Sequence, residues 1–253
     1  ADVPYEDEKG EMFSAGGVDA IKNPDMTGLL KLSQKLTDLQ WDFDYGDEYT
    51  LARHAAVADG KLTVEKQDYS VVFVSGDMKN VLASTVALLR KCAALGVKVL
   101  TVGKSGPYVD GLIYEEAFEN LGEPVSLDEI DARLAEILPR RVTANAPFPE
   151  GLAHMRRALP DGETVWFFVN HAMESFEADV SLDGAGVIGL DLFTGEEYAV
   201  AHAVSNGKVT FRLSLKRNQS AMLRATNEPA AQRAPAIPAT QSVALSLVGI
   251  AAE

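Results

Sequence analysis

Val71-Val72-Phe73-Val74 is a run of consecutive apolar residues inside the short stretch Tyr69 to Ser75. A strand with one wet face would alternate, so this run predicts a strand covered on both faces, as in parallel sheets. Val81, Leu82, Val86, Leu88, Leu89, Cys92 and Leu95 follow at helical spacing, and Gly96 ends that helix. Val97 to Val102 then repeats the continuous apolar texture. Strand, helix and strand at this spacing predict a βαβ unit with a right-handed crossover, its first strand in the middle of the sheet.

The flanking segments fit an α/β reading of residues 1–139. Asn23-Pro24-Asp25 offers a turn, and Leu29, Leu30, Leu32, Leu36 and Leu39 place an apolar stripe on a helix from Thr27 to Leu39. Trp41-Asp42-Phe43-Asp44-Tyr45 alternates as a half-buried strand does, and a short helix follows from Asp47 to His54. Asp59-Gly60 predicts a hairpin turn between Ala56-Val57 and Leu62-Thr63-Val64. Ser126-Leu127-Asp128-Glu129 has the spacing of a capping box that opens a helix to Leu138.

After Pro139 the period changes. Short runs, Leu152 to Leu159, Val165 to Asn170, Ala178 to Leu182, Val187 to Leu192, Glu197 to Ala201, Val209 to Leu215 and Ala221 to Arg224, are separated by Pro160-Asp161-Gly162, Asp183-Gly184, Thr194-Gly195 and Asn206-Gly207. That rhythm predicts antiparallel hairpins and an all-β antiparallel sandwich over residues 140–227. Residues 228–253 read as a Pro/Ala-rich linker, with Val243 to Ile250 as the first strand of a further domain.

Charge narrows the partners. Across 253 residues the formal net charge is −14, which repels phosphate backbones and anionic membranes alike, so neither nucleic acid nor membrane is expected. The one cysteine, Cys92, forbids an internal disulfide and leaves a bacterial cytoplasmic or an exported location open.

Several residues invite a chemical reading. Asp42 and Asp44, two apart on a strand, would face the same way about 6 to 7 Å apart, within the range that glycoside hydrolysis uses. They lack a loop or partner motif that would shape a pocket, so no catalytic residue is assigned. Cys92 lies in Leu89-Arg90-Lys91-Cys92-Ala93-Ala94, a helical context without the flanking glycines of a nucleophile turn, and reads as a buried structural thiol. Gly103-Lys104-Ser105-Gly106 lacks the preceding glycine of a phosphate loop, position 98 being Lys98, and reads as an ordinary loop. His54, His154, His171 and His202 fall at no metal-ligand spacing, so neither a metal nor a cofactor is expected. Trp41 and Trp166 are candidates for stacking on sugar rings, although every neighbour of Trp166 from Val165 to Val169 is apolar.

The order of these phrases resembles the region after the catalytic barrel in family 106 α-L-rhamnosidases and related large glycoside hydrolases. The resemblance spans roughly residues 36–225. It is carried by Trp41 to Tyr45, Asp59-Gly60-Lys61-Leu62, His154-Met155-Arg156-Arg157, the run from Asp161-Gly162 through Trp166-Phe167-Phe168-Val169-Asn170-His171, Asp191 with Thr194-Gly195-Glu196, and Asn218-Gln219-Ser220. It implies a flavodoxin-like or glutamine-amidotransferase-like accessory domain followed by the sandwich, with catalysis left to a (β/α)₈ barrel of the same polypeptide. Asp42, Asp44, Tyr45, His154, Arg156 and Arg157 then become candidates for a domain interface or substrate entrance. The alternative is a free-standing module that binds carbohydrate or protein.

Overall fold

The computed structural model describes residues 27–76 and 78–230. The chain divides into two compact units, Ala1–Pro139 and Arg140–Glu253. The turn expected at Asn23-Pro24-Asp25 and the strand expected from Val243 to Ile250 lie outside the described residues.

The first unit opens with α1 (Thr27–Asp38), which buries Leu32 and Leu36 and leaves Leu30 exposed. Gln40, at φ 58°, turns the chain out of the helix, and the Trp41 amide donates to the Leu36 carbonyl. After an irregular stretch, α2 (Glu48–His54) starts where the Asp47 carboxylate accepts from the Thr50 amide. Strands β1 (Ala55–Ala58), β2 (Lys61–Val64) and β3 (Gln67–Tyr69) form an antiparallel meander. Asp59 and Gly60, at φ 50° and 73°, make the expected two-residue turn, whose two positive φ angles suit a short polar residue followed by glycine.

The parallel sheet is built from β4 (Val71–Ser75), β6 (Lys98–Val102) and β9 (Glu123–Pro124), in the order β4-β6-β9. Between the first two, the chain forms β5 (Asn80–Val81) and α3 (Ala83–Ala94). The expected βαβ unit is present, with β4 and β6 paired in parallel from Val71↔Lys98 to Ser75↔Val102. Among the described residues, however, β6 is the middle strand and β4 an outer one, which corrects the mid-sheet expectation. A continuous apolar run reports that both faces are covered; it does not report how many strands lie beside it.

Alternation along β4 feeds two different cores. Val72 and Val74 join Val86, Leu89, Cys92 and Val99 on the α3 side, whereas Val71 and Phe73 pack with Leu32, Leu36, Trp41, Ile130 and Leu134. The latter pair come from α4 (Ile130–Ile137). Before α4, the Ser126 amide and hydroxyl both donate to the Glu129 carboxylate, at 3.1 and 2.6 Å, which is the reach-back half of the predicted capping box. Strand β5 also belongs to a small mixed sheet with β7 (Tyr108–Val109) and β8 (Leu112–Ile113).

The second unit contains β10 (Val142–Ala144), β11 (Leu152–Ala158), β12 (Thr164–Asn170), β13 (Phe176–Asp183), β14 (Gly186–Leu190), β15 (Glu197–Ala199), β16 (His202–Ser205), β17 (Lys208–Leu215) and β18 (Ser220–Thr226). They form two antiparallel sheets, β10-β13-β17-β16 and β11-β12-β18-β14-β15. Inward residues of both sheets, including Trp166, Phe168, Val180, Leu182, Phe211 and Leu223, share one apolar cluster. Buried Asn170 links the sheets: its side-chain amide donates to the carbonyls of Glu174 and Leu215 and its oxygen accepts from the Ala172 amide. All three bonds are made, so the buried polar group carries no desolvation penalty left unmet.

Two details differ from the expected rhythm. Asp183-Gly184 is not a hairpin turn, because β13 and β14 belong to different sheets. It is a corner, where the Gly184 amide donates to the Gly207 carbonyl and the Ala185 amide to the Thr226 carbonyl. The apolar pattern of the sequence does not mark strands β10 and β16. Both lie at the edges of the four-stranded sheet, where one side of a strand is unpaired and the apolar signal is weak.

Candidate functional site

The acidic and aromatic segment after α1 is ordered by its side chains. The indole of Trp41 is buried against Leu32, Leu36, Ile130 and Leu134, and its N–H donates to Asp131 at 2.9 Å. Residues 41–47 form no strand, which corrects the half-buried strand expected there. The same-face spacing argued for Asp42 and Asp44 therefore has no ladder to enforce it. A buried Trp alternating with exposed acids also arises when one anchor residue pins an otherwise solvated loop.

Within that loop most polar groups have structural tasks. The Tyr69 hydroxyl donates to Asp44 Oδ2 at 2.8 Å, and the Tyr45 hydroxyl donates to Ser33 Oγ at 2.8 Å. The Phe43 and Tyr45 rings meet edge to face at 5.6 Å. Asp47 caps α2, and the Thr50 amide that bonds it holds its carboxyl below the ordinary aspartate range. Glu48 Oε1 accepts from the Leu82 amide at 2.8 Å, and Asp110 Oδ1 accepts from the Ala83 amide at 3.1 Å. These two carboxylates meet the amino end of α3, the place where a doubly wound protein would hold a phosphate.

Burial, then the bond to Asp44, pushes the Tyr69 phenol up to about 12. An ordinary phenol ionises near pH 10. The native state thus keeps this proton through a pH range in which the unfolded chain loses it. The stability contribution is complete below about pH 10 and is lost as pH rises towards about 12. Absorbance at 295 nm should show one of the 7 tyrosines titrating last. Tyr69→Phe should remove that last component; a titration curve unchanged by the substitution would assign it elsewhere.

His154, Arg156 and Arg157 lie in the second unit, on edge strand β11. His154 and Arg156 project to the face that carries Trp166 and Phe168, and Arg157 projects to the opposite face. The His154 ring sits 5.2 Å from that of Trp166 and 5.9 Å from that of Phe168. Trp166 is 1% exposed, and its indole N–H donates to Thr164 Oγ1. Both tryptophans named as sugar-stacking candidates are thus buried in apolar clusters of this structure. Trp166 is drawn inward within an apolar run, Trp41 by the apolar residues of α1 and α4.

The remaining candidates resolve differently. Cys92 is buried within α3, and desolvation raises its thiol above the ordinary range, against a smaller opposing effect of Lys91. That is the environment of an inert thiol. The Gly103–Gly106 loop instead lines an open depression of about 700 Å³ beyond the carboxyl end of β6, together with Lys79, Glu115, Phe118, Glu119 and Asn120. The signal for this cleft was present in the sequence as a glycine-rich loop after a buried strand. What brings Lys79 and residues 115–120 to it is the tertiary fold.

No protein-family model matches the chain, and no curated protein matches it. Solved structures do. A rhamnosidase from Novosphingobium sp. PP1Y aligns with a TM-score of 0.55 at 16% identity, over 76% of this chain and 20% of that one. The α-L-fucosidase isoenzyme 2 from Paenibacillus thiaminolyticus aligns with a TM-score of 0.50 at 10% identity, over 78% of this chain and 44% of that one. The chain therefore spans about a fifth of the rhamnosidase's length and under half of the fucosidase's. At such identities the likeness is one of fold: this chain has a fold shared with portions of glycoside hydrolases.

Proposed function

We propose that the chain is a non-catalytic accessory portion of an α-L-rhamnosidase-like glycoside hydrolase. In this reading a flavodoxin-like α/β domain and a β-sandwich brace a catalytic barrel of the same polypeptide and help to shape its substrate entrance. The observation that carries it is the fold likeness over 76% of the chain to 20% of a rhamnosidase. The family 106 assignment adds the ordered phrases from Trp41 to Ser220. The employment of the tempting groups supports the accessory role: Asp44 accepts from Tyr69, Asp47 caps α2, Glu48 and Asp110 cap α3, and Cys92 is buried. Asp42, Tyr45, Arg156 and Arg157 remain the residues to examine at an interface with the barrel.

The test is direct. The purified chain, incubated with aryl α-L-rhamnoside and aryl α-L-fucoside, is expected to release no more phenol than a blank. Turnover that survives purification to homogeneity and is abolished by Asp42→Asn or Asp44→Asn would overturn the accessory reading. Saturable binding of neutral rhamno-oligosaccharides without turnover would instead favour the free-standing binding module.

A further inference from the structure

We propose that the depression beyond the carboxyl end of β6 binds a small polyhydroxylated oxyanion, a sugar acid or a sugar phosphate. It uses none of the candidates in residues 41–49 or on β11 and does not rest on the accessory reading. Its volume, about 700 Å³, falls in the range of small-molecule sites. Its position, outside the carboxyl ends of parallel strands, is where open α/β sheets present their loops to ligands.

Part of the lining offers hydrogen-bond donors. Among the described residues, neither the Lys104 nor the Ser105 backbone N–H has an acceptor. The ammonium groups of Lys79 and Lys104 likewise have no ion-pair partner there. Two amides and two cations on one loop-lined surface suit an oxyanion. In a chain of net charge −14, two lysines on one depression that form no ion pair among the described residues run against the overall field.

The loop that presents these amides is held in place rather than left to find its shape on binding. Ser105 Oγ donates to the Ser75 carbonyl at 2.8 Å, and the Gly106 amide donates to the Met78 carbonyl at 2.9 Å. Gly103 adopts φ 83°, and a Cβ on Gly76 would stand 2.8 Å from the Lys104 nitrogen. The two strand-end loops thus approach each other as closely as two glycines permit. A donor array fixed before binding loses less entropy on binding.

The same depression also carries acceptors: Glu115, Glu119 and Asn120 line it, beside Phe118. Two carboxylates would repel a bare anion but accept hydrogen bonds from hydroxyls. A ligand that satisfies both kinds of group carries an oxyanion together with hydroxyl groups.

Titration of the ¹⁵N-labelled chain with glucuronate, glucose 6-phosphate, inorganic phosphate and glucose tests this, with ionic strength held constant. Either sugar anion should shift the Lys104 and Ser105 amides saturably and bind about tenfold tighter than glucose or inorganic phosphate, the scale expected for two exposed charge contacts. Which of the two saturates first distinguishes a carboxylate from a phosphate source. Lys79→Gln with Lys104→Gln should cost about tenfold in that affinity, and both residues are exposed, so the fold should be retained. Three results would each overturn the proposal: no saturable shift with either sugar anion, glucose or inorganic phosphate binding as tightly as the sugar anions, or unchanged affinity in the double variant with native spectra.

Discussion

Phe168→Ala should destabilise the second unit by about 3–5 kcal/mol, the usual cost of emptying a fully buried aromatic site. Phe168 is 0% exposed on the inner face of β12, stacked 6.0 Å from Trp166 and facing the shared cluster of both sheets. Strands on either side hold the site open, β11 through His154↔Phe168 and β18 through Phe168↔Ala221, so neighbours can collapse only partly into the void. With 5-fluorotryptophan in place of the 2 tryptophans, the Trp166 resonance reports this core in urea titrations. A loss of under about 1 kcal/mol would mean the two sheets do not share the core assigned to them.

Ile130→Ala should cost about 2–5 kcal/mol in the first unit. Ile130 is 0% exposed at the start of α4 and packs in the cluster of Leu32, Leu36, Trp41 and Leu134 beneath Val71 and Phe73. The same cluster holds the indole whose N–H bonds Asp131, the next residue along α4. The change should therefore move the ¹⁹F resonance of Trp41 as well as lower the urea midpoint. A lowered midpoint with a Trp41 resonance unmoved in the native state would separate α4 from the loop that follows α1.

Sequence and structure agree where one short-range rule decides the outcome. Asp59-Gly60 made its hairpin because two left-handed residues in succession admit few alternatives. The βαβ pairing of β4 with β6 followed from two continuous apolar runs separated by a helical period. Sequence and structure diverge where a period is real but its cause lies elsewhere in the chain. Trp41 to Tyr45 alternates without forming a strand, because burial of a single indole against α4, some ninety residues on, creates the same pattern. Asp183-Gly184 looked like every other turn in the β region, yet the partners of its amides, Gly207 and Thr226, make it a crossing between sheets.

The candidate site divides in the same way. That Cys92 is an inert helical thiol could be read from its neighbours, since helix register alone puts it on the apolar face. That Glu48 and Asp110 cap α3, that Asp44 accepts from Tyr69, and that Lys79 and Glu119 border the Gly103–Gly106 loop could not. The sequence by itself determined the alternation of buried strands and helix before Pro139 and the short, turn-punctuated strands after it, because period and turn chemistry act over a few residues. Strand order, the corner at Gly184 and the employment of each polar side chain were decided only by the tertiary structure, because each depends on which distant backbone or carboxylate arrives within hydrogen-bonding reach.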